Sequence, residues 1–259
     1  MILKTIFLLN NHVIVLIAID AIISLMRIES RNQELENKMK KLSLIIATLA
    51  IIASNNALAF TFRTTTNSKA KDIAAKTTNL KPSLARLAIE TFYNAKKQGI
   101  NVKKSIITVI DYSLPSTKTR LWVLDLDKNK VLYSSMVAHG KYSGENYTTH
   151  FSNKINSLQT SLGLFLTDTT YFGKDGYSLR IKGLEKGIND NAETRYIVLH
   201  GAPYVSKEFA NAAGRIGRSW GCPAVEAPLA KPIINTIKNG SLILAYYPEK
   251  TWIKKSRFI

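Results

Sequence analysis

Apolar positions crowd the first sixty residues, recur at helical spacing in the eighties and nineties, and beyond Asn101 fall into short β-branched runs. Leu84, Leu87, Ala88, Phe92 and Ala95 share one helical face. Pro82 suits the first turn of that helix and Gly99 its stop. The runs that follow predict strands over Ser105–Tyr112, Leu162–Thr167, Tyr177–Lys182, Arg195–Leu199 and Leu242–Tyr247. Leu121–Asp127 and Val131–His139 flank Lys128-Asn129-Lys130 as a hairpin, and a short helix runs from about Pro232 to Lys238, ended by Gly240. Thr61–Thr78, rich in Thr, Lys, Ser and Asn with little apolar period, reads as a solvated linker. The pattern predicts a mainly β domain with a few helices and an N-terminal helix, over 81–259, after a linker at 60–80. There is no internal repeat of 20 to 50 residues.

The N-terminal sixty residues carry two apolar stretches. Lys40 and Lys41, the apolar run Leu42–Ala53, and Ala57 and Ala59 at the positions that signal peptidase reads make 39–59 a secretory leader cleaved after Ala59. The run is shorter than the roughly 20 residues that span a bilayer, so cleavage is expected over anchoring, with membrane contact only transient. Thr5–Met26 is long enough to span but holds Asn10, Asn11, His12 and Asp20. A central Asp alone costs about 2.5 to 3.5 kcal/mol on insertion. Residues 1–38 are therefore read as an upstream extension from a misplaced start, or else as an extra hydrophobic segment; under either reading the chain after Ala59 lies outside the cytoplasm.

Charge sharpens this picture. Lys and Arg number 36 against 18 Asp and Glu, a net +18. Residues 1–59 account for 6 basic and 4 acidic residues, which leaves 30 against 14 on the exported 200. Such a balance suits an anionic partner. Nucleic acid is disfavoured, because the cations are spread along the chain and export separates it from DNA. No Gly-x-x-x-x-Gly-Lys phosphate cradle is present, and no cofactor is expected. His139, His150, His200 and Cys222 show none of the tight spacings of a zinc site.

The one cysteine, Cys222, excludes a disulfide framework. An unpaired thiol in an exported protein is best understood as a thiol that is used, the bland alternative being a buried inert Cys. Gly221 and Pro223 around it can aim the Gly221 and Cys222 amides at a reacting carbonyl oxygen. His200, at the end of a predicted strand and followed by Gly201, is placed to accept the thiol proton, and a thiolate–imidazolium pair would lower the cysteine pKa.

The stretches Ala138-His-Gly-Lys-Tyr-Ser-Gly144, Phe151-Ser-Asn153, Ser161-Leu-Gly163, Gly183-Leu-Glu-Lys-Gly-Ile-Asn-Asp190, Tyr196-Ile-Val-Leu-His-Gly-Ala202 and Gly217-Arg-Ser-Trp-Gly-Cys-Pro-Ala-Val225 occur in one order over about Ser83 to Tyr247. This ordered set resembles the YkuD-like murein L,D-transpeptidases, in the branch ending Trp-Gly-Cys-Pro. The resemblance implies a β-sandwich or barrel-type catalytic domain with Cys222 as nucleophile and His200 as base. It also implies peptidoglycan stem peptides as partners and 3-3 crosslinking through a thioester as the reaction. Water as acceptor would make the protein an L,D-carboxypeptidase, and a wall-binding module without catalysis is a third reading. Trp220 stands where most members have His, so Arg218, Arg215 or His139 is expected to substitute, with Ser219, Trp220 and Gly201 as further substrate contacts. Ser143 and Gly144 are read as a turn. Asn189-Asp190 is read as a turn or a substrate contact, and Tyr147 and Trp220 as packing beneath the site.

Overall fold

The computed structural model describes residues 16, 17, 20 and 33–259. The expected upstream extension, 1–38, lies almost wholly outside them. The chain divides into two compact units, 1–65 and 66–259.

Helix α1 (Gln33–Ala75) is 43 residues long and begins in the first unit. Within that unit Leu42, Leu44, Ile45, Leu49, Ile51 and Ile52 are exposed. The Leu42–Ala53 run is thus part of a longer helix, one long and apolar enough by length and composition to cross a membrane. The expected linker is helical as far as Ala75 rather than irregular. Thr66, Ala70, Ile73 and Ala74 are buried in the second unit and share one helical face. That face is built of Thr and Ala with Ile73 its one large residue, so it has little apolar contrast in sequence.

Helix α2 (Pro82–Lys97) follows, with Pro82 in its first turn and Gly99 at φ +79° just past its end, as its spacing predicts. Leu84, Ala85, Ala88, Ile89, Phe92 and Ala95 form its buried face, which packs on β1 (Ile106–Asp111). Next come β2 (Leu121–Asp125), β3 (Lys130–Ser135) and β4 (Val137–Ala138). The long hairpin β5 (Gly163–Gly173) and β6 (Gly176–Gly183) leads to β7 (Val198–Ala202) and α3 (Lys207–Ala213). The chain ends with β8 (Ala224–Glu226), α4 (Ala227–Ile237), β9 (Leu242–Tyr246) and α5 (Lys250–Lys255).

These nine strands form one sheet, in the order β3-β2-β1-β9-β5-β6-β7-β8-β4. Its two margins, β3 and β4, are separated in sequence by Met136 alone, so the sheet curls almost shut. A latch ties the end of β3 to β8, the neighbour of β4: Ser135 Oγ donates to Glu226 Oε2 at 2.9 Å, and the Met136 N–H donates to the same oxygen at 3.3 Å. The main core joins Ile107, Val109, Leu121, Val123, Leu164, Leu199, Ile233, Ile237, Leu242 and Leu244. A smaller cluster of Met136, Ala138, Ala202, Val205, Ile216 and Ala224 supports the chain leading into the cysteine turn.

Pairing β7 to β8 is the step that builds the site. It is parallel, with His200 opposite Ala224, while β6 lies on the other side of β7 with Ser178 opposite His200. Both strands are therefore interior to the sheet.

Candidate active site

Cys222 sits on the turn that enters β8, two residues before the partner of His200. Gly221 makes this turn possible: its φ is +126°, and a Cβ there would lie 2.9 Å from Gln159 O and 3.0 Å from Ile197 Cδ1. Ser219 ties the turn internally, its Oγ donating to Cys222 O at 2.6 Å and accepting from the Gly221 N–H at 3.1 Å. That second bond takes up one amide of the pair expected to hold an oxyanion. The Cys222 N–H is the one the turn does not consume.

The thiol lies against the strand before His200. Sγ accepts from the Val198 N–H at 3.5 Å and donates to Tyr196 O at 3.7 Å. Tyr196 is 84% exposed and holds a positive φ of +54°, unusual for an aromatic residue. Burial pushes the Cys222 thiol up to about 11; the Val198 hydrogen bond and the Arg195 charge oppose the rise, and the Asp175 charge adds to it. This corrects the expectation of a preformed thiolate–imidazolium pair. At neutral pH the fold holds a neutral thiol, and the thiolate gains population only as pH rises towards 11.

His200 is buried on the neighbouring strand. Its Nδ1–H donates to Gly201 O at 3.0 Å, which leaves Nε2 as the basic nitrogen. Gly201 itself faces α4 and not the site, since a Cβ there would lie 2.7 Å from Ala230 Cβ.

The other expected contacts separate into distinct roles. His139 is buried: Arg120 Nη2 donates to its Nδ1 at 2.8 Å and its Nε2–H donates to Gly144 O at 3.2 Å. Burial and then the Arg120 charge push its pKa down to about 4, so it is a neutral structural imidazole and no substitute for a second catalytic histidine. Its backbone positions the site, because the Ser219 N–H donates to His139 O at 3.0 Å. Arg215 Nε and Arg218 Nη1 grip the exposed carboxylate of Glu145 at 2.8 and 2.6 Å, and Arg218 also donates to Gly144 O at 3.1 Å. Both arginines are thus engaged by the protein. Ser219 is buried in its turn. Trp220, expected beneath the site, is 67% exposed beside it, with Lys174 Nζ 4.5 Å from its ring centroid. Tyr147 is likewise exposed. Asn189 is fully buried and donates to Leu162 O and Leu164 O at 3.0 Å, which makes it a brace for the start of β5 and not a substrate contact.

Two residues near the thiol escaped the sequence reading. Arg195 lies under the turn, donating to Gln159 O, to Ser152 O at 2.6 Å and to Ser157 Oγ at 3.1 Å, and its charge favours the thiolate. Tyr204 covers Gly217, and burial followed by the Cys222 and Asp175 charges pushes its hydroxyl up to about 12. Arg195 opens a predicted strand, just before the stretch Tyr196–Ala202, but nothing in its spacing announces a half-buried cation.

Together, these elements make a β-rich domain whose nearly closed sheet carries a cysteine turn entering one interior strand and a histidine on its neighbour. The family model for the L,D-transpeptidase catalytic domain, YkuD_2, matches residues 76–246. The chain belongs to that family. Among curated proteins none matches it. Solved structures similar to it include L,D-transpeptidase 1 of Mycobacterium tuberculosis, at 16% identity and TM-score 0.32, covering 55% of this chain and 62% of that one. The L,D-transpeptidase of Stackebrandtia nassauensis is 15% identical at TM-score 0.34, covering 73% and 92%. The helical cell shape determining protein Pgp2 of Campylobacter jejuni is 11% identical at TM-score 0.38, covering 63% and 57%. This chain thus spans less than two thirds of the mycobacterial and Campylobacter chains.

Proposed function

We propose that this chain is an exported peptidoglycan L,D-transpeptidase that works through Cys222. The observation that supports the reading is the β7–β8 pairing, in which the Cys222 thiol accepts from the Val198 N–H and His200, its Nδ1–H given to Gly201 O, stands two residues further along β7. In the first half-reaction the sulfur attacks the carbonyl of the L-centred diamino acid at stem position three. The S–H proton passes to His200, the Cys222 N–H supports the oxyanion, and the C–N bond breaks as His200 returns the proton to the departing D-Ala amine. In the second, the side-chain amine of another stem attacks the thioester. It gives its proton to His200, and the C–S bond breaks to leave a 3-3 crosslink. Water in place of the amine would give a tripeptide stem.

The test is direct. The full-length protein is incubated with a tetrapeptide-stem muropeptide and followed by mass spectrometry. A stem adduct on Cys222 and a crosslinked dimer are the expected products, and Cys222→Ala should yield neither. Full activity in Cys222→Ala would overturn the mechanism, and tripeptide without dimer would replace the transpeptidase by a carboxypeptidase.

A further inference from the structure

The face of β1 turned away from the thiol lines a cavity that acyl transfer at Cys222 does not use. Successive residues of a strand point to opposite faces. Ile110 and Tyr112 line the space beneath Gly221 and Pro223, under the cysteine turn. Asp111, between them, instead lines a cavity of about 280 Å³ that lies between the first turns of α2 and the ends of β1 and β9. Tyr246 of β9 stands opposite Asp111 in the parallel register and lines the same cavity. Burial, and then the Asp111 charge, push the Tyr246 hydroxyl up.

The walls of this cavity divide by chemistry. Leu84 and Leu87 of α2 make an apolar side. The Asp111 carboxylate is 2% exposed, and Ser113 takes up one of its oxygens, donating to Oδ1 from its N–H at 3.0 Å and from its hydroxyl at 2.6 Å. Among the described residues Oδ2 receives no hydrogen bond and the carboxylate forms no ion pair. The buried Arg120 guanidinium feels this charge, but it donates to Val137 O, Leu114 O, Thr148 and His139 and not to Asp111. A buried anionic oxygen with no donor is costly, so Oδ2 is placed for a cationic donor from outside the chain. The α2 side is cationic. Lys81 is the N-cap of α2 and offers no capping side chain, the first turn holds no acidic residue, and the Ser83 N–H has no partner within the helix. Lys81 forms no ion pair among the described residues, and Arg86, in the next turn, has only Glu90 at 3.8 Å. The helix end and both cations therefore favour a carboxylate.

We propose that this cavity is a second ligand site, separate from Cys222, which takes a short zwitterion of dipeptide size with its ammonium on Asp111 and its carboxylate at the start of α2, by Lys81 and Arg86. Leu84 and Leu87 receive its alkyl groups. A volume of about 280 Å³ lies at the lower end of ligand pockets and holds the guest to roughly a dozen heavy atoms. A simple anion would leave Asp111 Oδ2 without a donor, and a simple amine would leave the helix end and its cations without an acceptor, so a guest that carries both charges is the complementary one. The site does not depend on the acyl-transfer reading, because no residue of it touches the thiol.

The experiment titrates isotope-labelled full-length protein with L-alanyl-L-alanine and follows the backbone amides by NMR. Saturable shifts are expected at Ser83 and Ser113, with Gly221 and Cys222 unmoved, and Cys222→Ala should bind as tightly as the wild type. N-acetyl-alanylalanine lacks the ammonium, and it should bind roughly tenfold more weakly, the size of one buried charged hydrogen bond. Alanylalaninamide lacks the carboxylate and should lose roughly fivefold, as should the free dipeptide on Lys81→Met, with Lys81→Arg restoring it. Asp111→Asn keeps an acceptor for Ser113 and loses the charge. It should weaken the free dipeptide roughly tenfold and leave N-acetyl-alanylalanine where it was, a difference that a mere loss of fold would not produce. Equal binding of the free and acetylated peptides to the wild type would overturn the site. Shifts confined to Gly221 and Cys222, or no saturable shift up to the solubility of the dipeptide, would overturn it as well.

Discussion

At His139 the imidazole is held between a guanidinium and a carbonyl, and both contacts require it to be neutral. Its folded pKa, near 4, lies below the ordinary value of about 6.5. The fold therefore gains nothing from this group above pH 6.5 and loses stability as pH falls from there to 4, where the unfolded chain binds a proton that the native state does not. The loss is about 3 kcal/mol across that window. Denaturant unfolding of wild type and His139→Gln as a function of pH should show the acid-side slope shrinking in the variant; parallel slopes would remove the assignment. The same residue marks the limit of what could be read from the chain. Cys222 and His200 stand out as candidates in the sequence because a lone thiol and a His-Gly at a strand end are rare local signals. The roles of His139, Arg215, Arg218 and Asn189 depend on which neighbours fill their hydrogen bonds, and those neighbours are Arg120, Glu145 and the β5 backbone, far away in sequence.

Elements were legible where a period persisted. The spacing of α2 and the runs that became β1, β2, β6 and β9 appear close to their expected bounds, because each buries at least one face against the core. β5 runs six residues beyond its predicted end, through Asp168, Thr169 and Thr170, where polar residues and a register shift mask the strand pattern. β7 starts three residues later than expected, since Arg195 and Tyr196 belong to the turn beneath the thiol. β8, three residues long, has too few positions to show an alternation, and α3 has no buried residue to betray a period. Helix α4 begins at Ala227, with Pro228 in its first turn, and carries Pro232 inside it instead of at its start. The Ser135–Glu226 latch, invisible to any pattern, ties the end of β3 to β8. Glu226→Ala, which strips the acceptor from two donors, should cost about 1 to 3 kcal/mol. In calorimetry that is a fall of about 2 to 4 °C in Tm per kcal/mol, with Ser135→Ala showing less. An unchanged Tm would mean that β3 and β8 hold together without it.

On the scale of the whole molecule, the cationic excess stays with the part beyond Ala59, where 30 basic residues face 14 acidic ones. A carboxylate-bearing wall polymer is the partner that such a surface suits. The proposed export through residues 39–59 predicts a mature chain beginning at Phe60, which N-terminal sequencing of protein from the producing cells would find; a chain retaining Lys40 and Lys41 would overturn cleavage there. The position of β7 and β8 inside the sheet has one further consequence. Each is flanked on both sides, β7 by β6 and β8, β8 by β7 and β4, so a visiting peptide has no vacant strand edge to zip onto at the cysteine. Strand addition would demand a guest with one consistent handedness, because paired strands must share a twist. A peptide that mixes L and D centres has no such twist, so a guest of that kind would be read here through turns and side chains rather than by strand addition.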